Sequence, residues 1–258
     1  MSTIHPTAII DPSAKLGAGV SVGAYSVIGA DVEIGDNSWI GPHVVINGPT
    51  TIGCDNKIHQ FASIGDAPQD LKYAGEPTRL VIGDRNTIRE CVTINRGTVS
   101  GGGLTKVGSD NLLMAYIHIA HDCQIGNHVI FSNNASLAGH AHVGDYVILS
   151  GFTLVHQFCA IGDYAFTGMG SAISKDVPPY LMISGNPAAP HGLNKVGLKR
   201  RGFSEAQIRN LTQVYKILYR QGLSLEEATA QIEKMAKSNE EVVRFAEFLK
   251  NSKRSIIR

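Results

Sequence analysis

The chain of 258 residues is short of charge, aromatic rings and cysteine. Charged residues make up 17%, and the formal net charge is +1, so no global field for nucleic acid exists. Two local basic clusters occur, Lys195, Lys199, Arg200 and Arg201, then Lys250, Lys253, Arg254 and Arg258. Each suits a solvated helix face as well as an acidic partner. The four cysteines, Cys54, Cys91, Cys123 and Cys159, form no C-x-x-C pair and read as small packing residues rather than a disulfide or zinc framework. No apolar run reaches membrane-spanning length, and no signal peptide precedes the first repeat. The expectation is a cytoplasmic protein with no membrane span and no nucleic-acid partner.

What the chain does have is a six-residue beat. An aliphatic residue recurs every sixth position from Ile4 to Ile64, again at Ile82, Ile88 and Ile94, and again from Val107 to Ile173. Of 26 beat positions, 24 are Ile, Leu or Val; the exceptions are Phe131 and Thr167. Hexapeptide periods belong to parallel β-helices. Each hexad is one short strand and a corner, three hexads close a triangular coil of 18 residues, and the beat residue points inward. Coils stack at the spacing of strands in a sheet, about 4.8 Å. The fifth hexad position is small or β-branched in the early repeats (Ala8, Ala14, Val20, Ser26), as a tight corner requires. Glycine is frequent at the second position (Gly17, Gly23, Gly29, Gly35), which points to turn dihedrals closed to other residues. The period leaves handedness open; proteins that resemble this hexad pattern are left-handed.

Two segments break the beat and read as loops outside the prism, residues 65–81 and 100–106. The second carries Gly101–Gly103 but lacks the G-x-x-x-x-G-K-[ST] spacing of a phosphate loop, so a plain flexible loop is expected. After Pro178-Pro179 the beat stops. Capping boxes at Ser204/Gln207, Ser224/Glu227 and Ser238/Glu241 precede helical apolar stripes. Helices are expected near 204–220, 224–237 and 239–251. The division is then a parallel left-handed β-helix over 1–190 and an α-helical domain over 191–258 that covers the open end of the prism.

The 18-residue coil converts spacing into geometry. His121 plus 18 is Gly139, beside His140; plus 36 is Gln157, beside His156. His118 lies three residues before His121. One edge therefore gathers histidines, while His5, His43, His59, His128, His142 and His191 read as ordinary packing or surface residues. Histidine serves as a general base near neutral pH. His118, His121 and His140 could also hold a zinc ion. Asp122 follows His121 and would orient its ring if the corner brings the two together.

Several segments resemble the family of cytoplasmic UDP-N-acetylglucosamine 3-O-acyltransferases that begin lipid A biosynthesis. They are I-A-H-D-C (119–123), Q-D-L-K-Y-A-G-E-P-T-R (69–79), N-R-G-T-V (95–99), H-Q-F-C (156–159) and G-L-K-R-R-G-F (197–203). The resemblance spans essentially the whole chain. It implies transfer of an (R)-3-hydroxyacyl chain from acyl carrier protein to the sugar 3-hydroxyl, by a homotrimer, with no cofactor and no metal. It makes His121 the general base, Asp122 its support and the Gly139 N–H the oxyanion donor. Gln69, Asp70, Lys72, His118, His140, His156 and Gln157 then form the sugar and acyl pocket. Asn194 and Arg200 meet the nucleotide, and Met169 stands where a residue limits acyl length, implying a chain near ten carbons. Two positions depart from the pattern. Asn95 stands where relatives often carry His, and Lys195-Val196 where they commonly have a Glu after the equivalent of Asn194. A zinc hydratase on the same prism, the N-acyltransferase of the same pathway and a non-catalytic solenoid are the alternatives.

Overall fold

The computed structural model describes residues 3–252 and 254–258; Lys253 of the second basic cluster lies outside the described residues. From Thr3 to Ile173 the chain winds as a left-handed prism of strands two to four residues long. Strands three apart in sequence pair in parallel, giving three faces of nine, nine and eight strands, the first raised to eleven by a C-terminal hairpin. The register follows the beat: Ile28 pairs with Ile46, Ile64 with Ile94, and Ile94 with Ile119. From Val22 onward almost every beat side chain is buried in one continuous core. Ile4 is 38% exposed because the first coil has no neighbour beneath it.

The corners assign residue types differently from the sequence expectation. The left-handed backbone region falls on the fourth hexad position, and non-glycine residues occupy it, among them Tyr25, Asn37 and His43, with φ of 55–59°. Glycine at the second position answers a different need. A Cβ on Gly35 would lie 2.6 Å from the Gly53 carbonyl carbon one coil on. Gly17, Gly23, Gly29 and Gly35 therefore permit close stacking of coils, and none of them has positive φ.

The first interruption is narrower than the broken beat suggests, and the second lies earlier in the chain. Ser63–Asp66 and Arg79–Ile82 remain strands, so the first excursion covers residues 67–78. Arg79–Ile82 pairs with Leu104–Val107, so residues 104–106 also belong to the prism. The second excursion runs from Arg96 to Gly103 and contains a 3-10 turn, Val99–Gly101. The flank residues 65–66, 79–81 and 104–106 lie off the beat yet extend the main-chain ladder, which needs no particular side chain.

At the far end, Leu181–Gly185 and Ala188–Leu193 form the antiparallel hairpin that completes the eleven-stranded face. Neither the hairpin nor the short helix α1 (Lys195–Arg200) was signalled by a period. Helices α2 (Glu205–Arg220) and α3 (Leu225–Ala236) start with complete capping boxes at Ser204 and Ser224. The third box does not form. Helix α4 (Glu240–Asn251) begins after Asn239, not Ser238. The Asn239 side chain is instead engaged by the Met235 carbonyl and the Asn210 amide. The helices tie onto the last coils: Tyr180 Oη donates to the Glu241 carbonyl, and Arg244 pairs with Asp163. Asp176 forms a parallel bridge with Ile256.

Candidate active site

His118 ends a face of the prism in the strand His118–Ile119, and the chain then turns through Ala120, His121 and Asp122. Asp122 takes the left-handed corner position, φ 60°, which swings its side chain back toward that of its neighbour. The result is a contact that a straight strand forbids: Asp122 Oδ2 lies 2.8 Å from His121 Nδ1. Asp122 is 3% exposed. Its Oδ1 accepts from the Thr98 N–H at 2.8 Å, and its Oδ2 from the Thr98 hydroxyl at 2.6 Å. Its own N–H donates to Thr105 Oγ1. A carboxylate with these donors accepts from His121 Nδ1–H, which leaves Nε2 of the neutral ring as the acceptor.

Gly139 lies against the ring, as the 18-residue spacing requires. A Cβ there would sit 2.6 Å from His121 Cε1 and 2.8 Å from Nε2, so only glycine leaves the ring in place. Among the described residues the Gly139 N–H has no acceptor. His140, also at a left-handed corner, stands edge-on to His121 at 5.1 Å and stacks on Phe158 at 4.3 Å. Burial is the main cause holding the His140 imidazole below its ordinary value, opposed by the Asp122 charge. His118 is also held down, first by burial and then by His121. Its Nδ1 is 2.8 Å from Thr93 Oγ1.

A pocket of about 400 Å³ opens here, lined by Gln69, His118, His121, Ser136, Gly139 and Leu154 among others. A larger groove of about 1140 Å³ begins at His140 and Phe158 and runs under α4. Asp70 is near enough to favour the charged form of His140, and its Oδ1 also accepts from the Lys72 N–H in a turn. Lys72 is exposed. His156 and Gln157 are exposed on the same edge two coils on; the Gln157 carbonyl accepts from Arg254. Asn194 caps α1 and donates to the Tyr164 carbonyl, while Arg200 is exposed near the end of that helix. Met169 is 79% exposed at another corner of the prism. One chain thus gathers Gln69, Asp70, His118, His121, Asp122, Gly139 and His140, and leaves the remaining expected residues apart.

A ligand atom from each of His121, Asp122 and His140 falls within 4.8 Å of the others. This differs from the all-histidine zinc set read from sequence, because His118 faces Thr93. Both Asp122 oxygens already accept from Thr98, so the carboxylate is committed to organic donors rather than arranged as an open ligand. Sequence reasoning missed Thr98, Thr105 and Phe158. Their partners lie 17 to 24 residues away, and for Thr98 across an excursion that breaks the coil count.

Comparison with known proteins decides the family. The chain is 56% identical over its full length to the acyl-[acyl-carrier-protein]–UDP-N-acetylglucosamine O-acyltransferase of Halorhodospira halophila, covering all of both chains. It is 57% identical to that of Thiobacillus denitrificans, again over both full chains. The chain belongs to the UDP-N-acetylglucosamine O-acyltransferase family. It is therefore an O-acyltransferase. A solved UDP-N-acetylglucosamine acyltransferase from Francisella novicida superposes with a TM-score of 0.98 at 44% identity, covering 99% of this chain and 94% of that one. Family models match residues 176–257 (Udp N-acetylglucosamine O-acyltransferase, domain 2) and 104–139 (bacterial transferase hexapeptide, six repeats). The acyltransferase match covers the hairpin and helices, and the hexapeptide match covers the coils that carry the His121–Asp122 pair.

Proposed function

We propose that this acyltransferase moves an (R)-3-hydroxyacyl chain from acyl carrier protein to the 3-hydroxyl of UDP-N-acetylglucosamine, the first step of lipid A biosynthesis, in the cytoplasm. The observation that carries the mechanism is the buried hydrogen bond from His121 to Asp122 beside a pocket walled by Gly139. A sugar hydroxyl is a poor nucleophile at neutral pH, so its proton must be taken as oxygen attacks the thioester. His121 Nε2 takes it. Asp122 holds the ring and stabilises the imidazolium that forms. The unpartnered Gly139 N–H donates to the oxyanion of the tetrahedral intermediate. The imidazolium then returns the proton to the departing thiolate.

Gln69, Asp70, Lys72, His118, His140, His156 and Gln157 bind the sugar and acyl chain in this reading, and Asn194 and Arg200 the nucleotide, where a guanidinium suits phosphate oxygens. One chain does not bring this set together. The proposed assembly is a homotrimer with the site between subunits, in which a neighbouring copy supplies the distant members. Exposed Met169 then closes the acyl pocket and favours a chain near ten carbons. Replacing Met169 by Gly should move preference toward longer donors; an unchanged preference sinks the ruler.

The decisive assay incubates the protein with UDP-N-acetylglucosamine and 3-hydroxyacyl carrier protein. Wild type should release free carrier thiol and form acylated sugar, and His121→Ala should be reduced by about 10²–10⁴-fold. An equally active His121→Ala variant, or a wild type that forms no acylated sugar, overturns the reading.

A further inference from the structure

The second excursion, 96–103, enters none of the roles above, yet it packs on the catalytic pair. Thr98 is 4% exposed and contacts both Asp122 oxygens, donating to Oδ1 from its N–H and to Oδ2 from its hydroxyl. The direction of that hydroxyl is constrained. Thr98 Oγ1 accepts from the Gly101 N–H at 3.2 Å, inside the turn that Gly101, Gly102 and Gly103 make. A carboxylate oxygen only accepts, so at 2.6 Å the hydroxyl hydrogen points to Oδ2, and the Ser100 hydroxyl, 3.1 Å away, donates to Thr98 Oγ1. The same carboxylate oxygen accepts from His121, whose Nδ1 is the donor, so Thr98 and His121 share Oδ2.

The glycines fit the same purpose. A Cβ on Gly101 would lie 2.1 Å from Asp122 Cγ, and one on Gly97 2.8 Å from Oδ1. The main chain of the excursion therefore sits against the carboxylate with no room for side chains. The excursion is a built contact on a buried acid.

We propose that Thr98 is a positioning residue for the transfer reaction: by holding the Asp122 carboxylate it fixes the orientation of His121 and tunes how strongly Asp122 accepts from it. The proposal rests on His121 being the base. Asp122 has His121 and His140 beside it, with His140 Nδ1 at 3.7 Å from Oδ2. His118 couples to His121, and Asp70 and His142 are the further titratable groups acting on His140.

The test compares wild type, Thr98→Val, Thr98→Ser and His121→Ala in carrier-dependent acylation across pH, with thermal melting to verify folding. Val keeps the N–H and the shape but removes the hydroxyl. It should lower kcat about tenfold or more, the worth of a hydrogen bond to a charged group, with KM little changed. The acid limb of kcat/KM should move to higher pH, because Oδ2, short of one donor, favours the imidazolium form of its partner. Ser should restore both. Histidine-labelled ¹⁵N spectra provide a readout free of turnover: the His121 Nδ1–H resonance should be displaced in Thr98→Val, where Oδ2 lacks one donor, and restored in Thr98→Ser. If Thr98→Val does not fold, Thr98→Ala serves in its place. An acid limb and Nδ1–H resonance unchanged by loss of the hydroxyl, whatever the rate, overturn the proposal while His121→Ala stays inactive. An active His121→Ala variant instead overturns the assignment of the base itself.

Discussion

At the scale of the residue, the site shows how a corner makes chemistry out of adjacent side chains. His121 and Asp122 would point to opposite faces of a strand. The left-handed conformation of Asp122 brings them within 2.8 Å. The sequence contained the pair and its spacing from Gly139, but not Thr98, whose hydroxyl reaches Asp122 from 24 residues away. His118 carries a prediction at this scale. Burial and the neighbouring His121 hold its imidazole below the ordinary 6.5. The unfolded chain binds that proton first as the pH falls, so acid favours unfolding. The stabilisation of the neutral ring is complete above about pH 6.5 and is lost as the pH falls through the lower folded-state value. In melting curves taken from pH 7 downward, Tm of His118→Gln should therefore fall less steeply than that of wild type. Parallel curves would refute the prediction.

At the scale of the element, coils are joined by more than their main-chain ladders. Asn56, Asn86 and Asn111 sit buried at one corner on successive coils. Asn56 Oδ1 accepts from the Asn86 N–H, and Asn86 Oδ1 from the Asn111 N–H, while each amide nitrogen donates to a carbonyl, Asn86 to Gly108 and Asn111 to Gly126. The ladder also bridges both excursions, since Asn56 and Asn86 are 30 residues apart and Asn86 and Asn111 are 25 apart. Asn86→Ala strands the Asn111 N–H and the Gly108 carbonyl. At about 1–3 kcal/mol for each buried group left unpaired, thermal or urea unfolding should register a clear loss. Stability equal to wild type would show that water or relaxation replaces the ladder. The strands and helices α2 to α4 were legible because their periods are local. The hairpin at 181–193 and α1 were not, since they exist by docking on the last coil, as the Asn194 N–H to Tyr180 carbonyl bond shows. Ser238 had the spacing of a cap, but Asn210 and Met235 engage Asn239, and α4 starts one residue later than that box would place it.

At the scale of the whole molecule, a prism with helices on one end presents flat faces on which large apolar side chains remain exposed, including Ile9, Trp39, Val45 and Leu154. The proposed homotrimer would cover such surface and complete the substrate set that one chain leaves apart. Light scattering coupled to size exclusion should give three times the 27.6 kDa chain mass. A monomeric mass with full activity would contradict a site shared between subunits. The fold also sets how this molecule can change length. In a stack where each layer touches only its neighbours, stability is a sum over layers and interfaces. Between His121 and the helices the layers are committed, because Gly139, Gln157 and Asp176 tie them to the site or to the C-terminal tail. The layers before Ile46 carry none of these ties. A module of 18 residues there is a unit of duplication or loss: removing one would restack the beat in register and shorten the molecule by about 4.8 Å, leaving the catalytic corner unaltered.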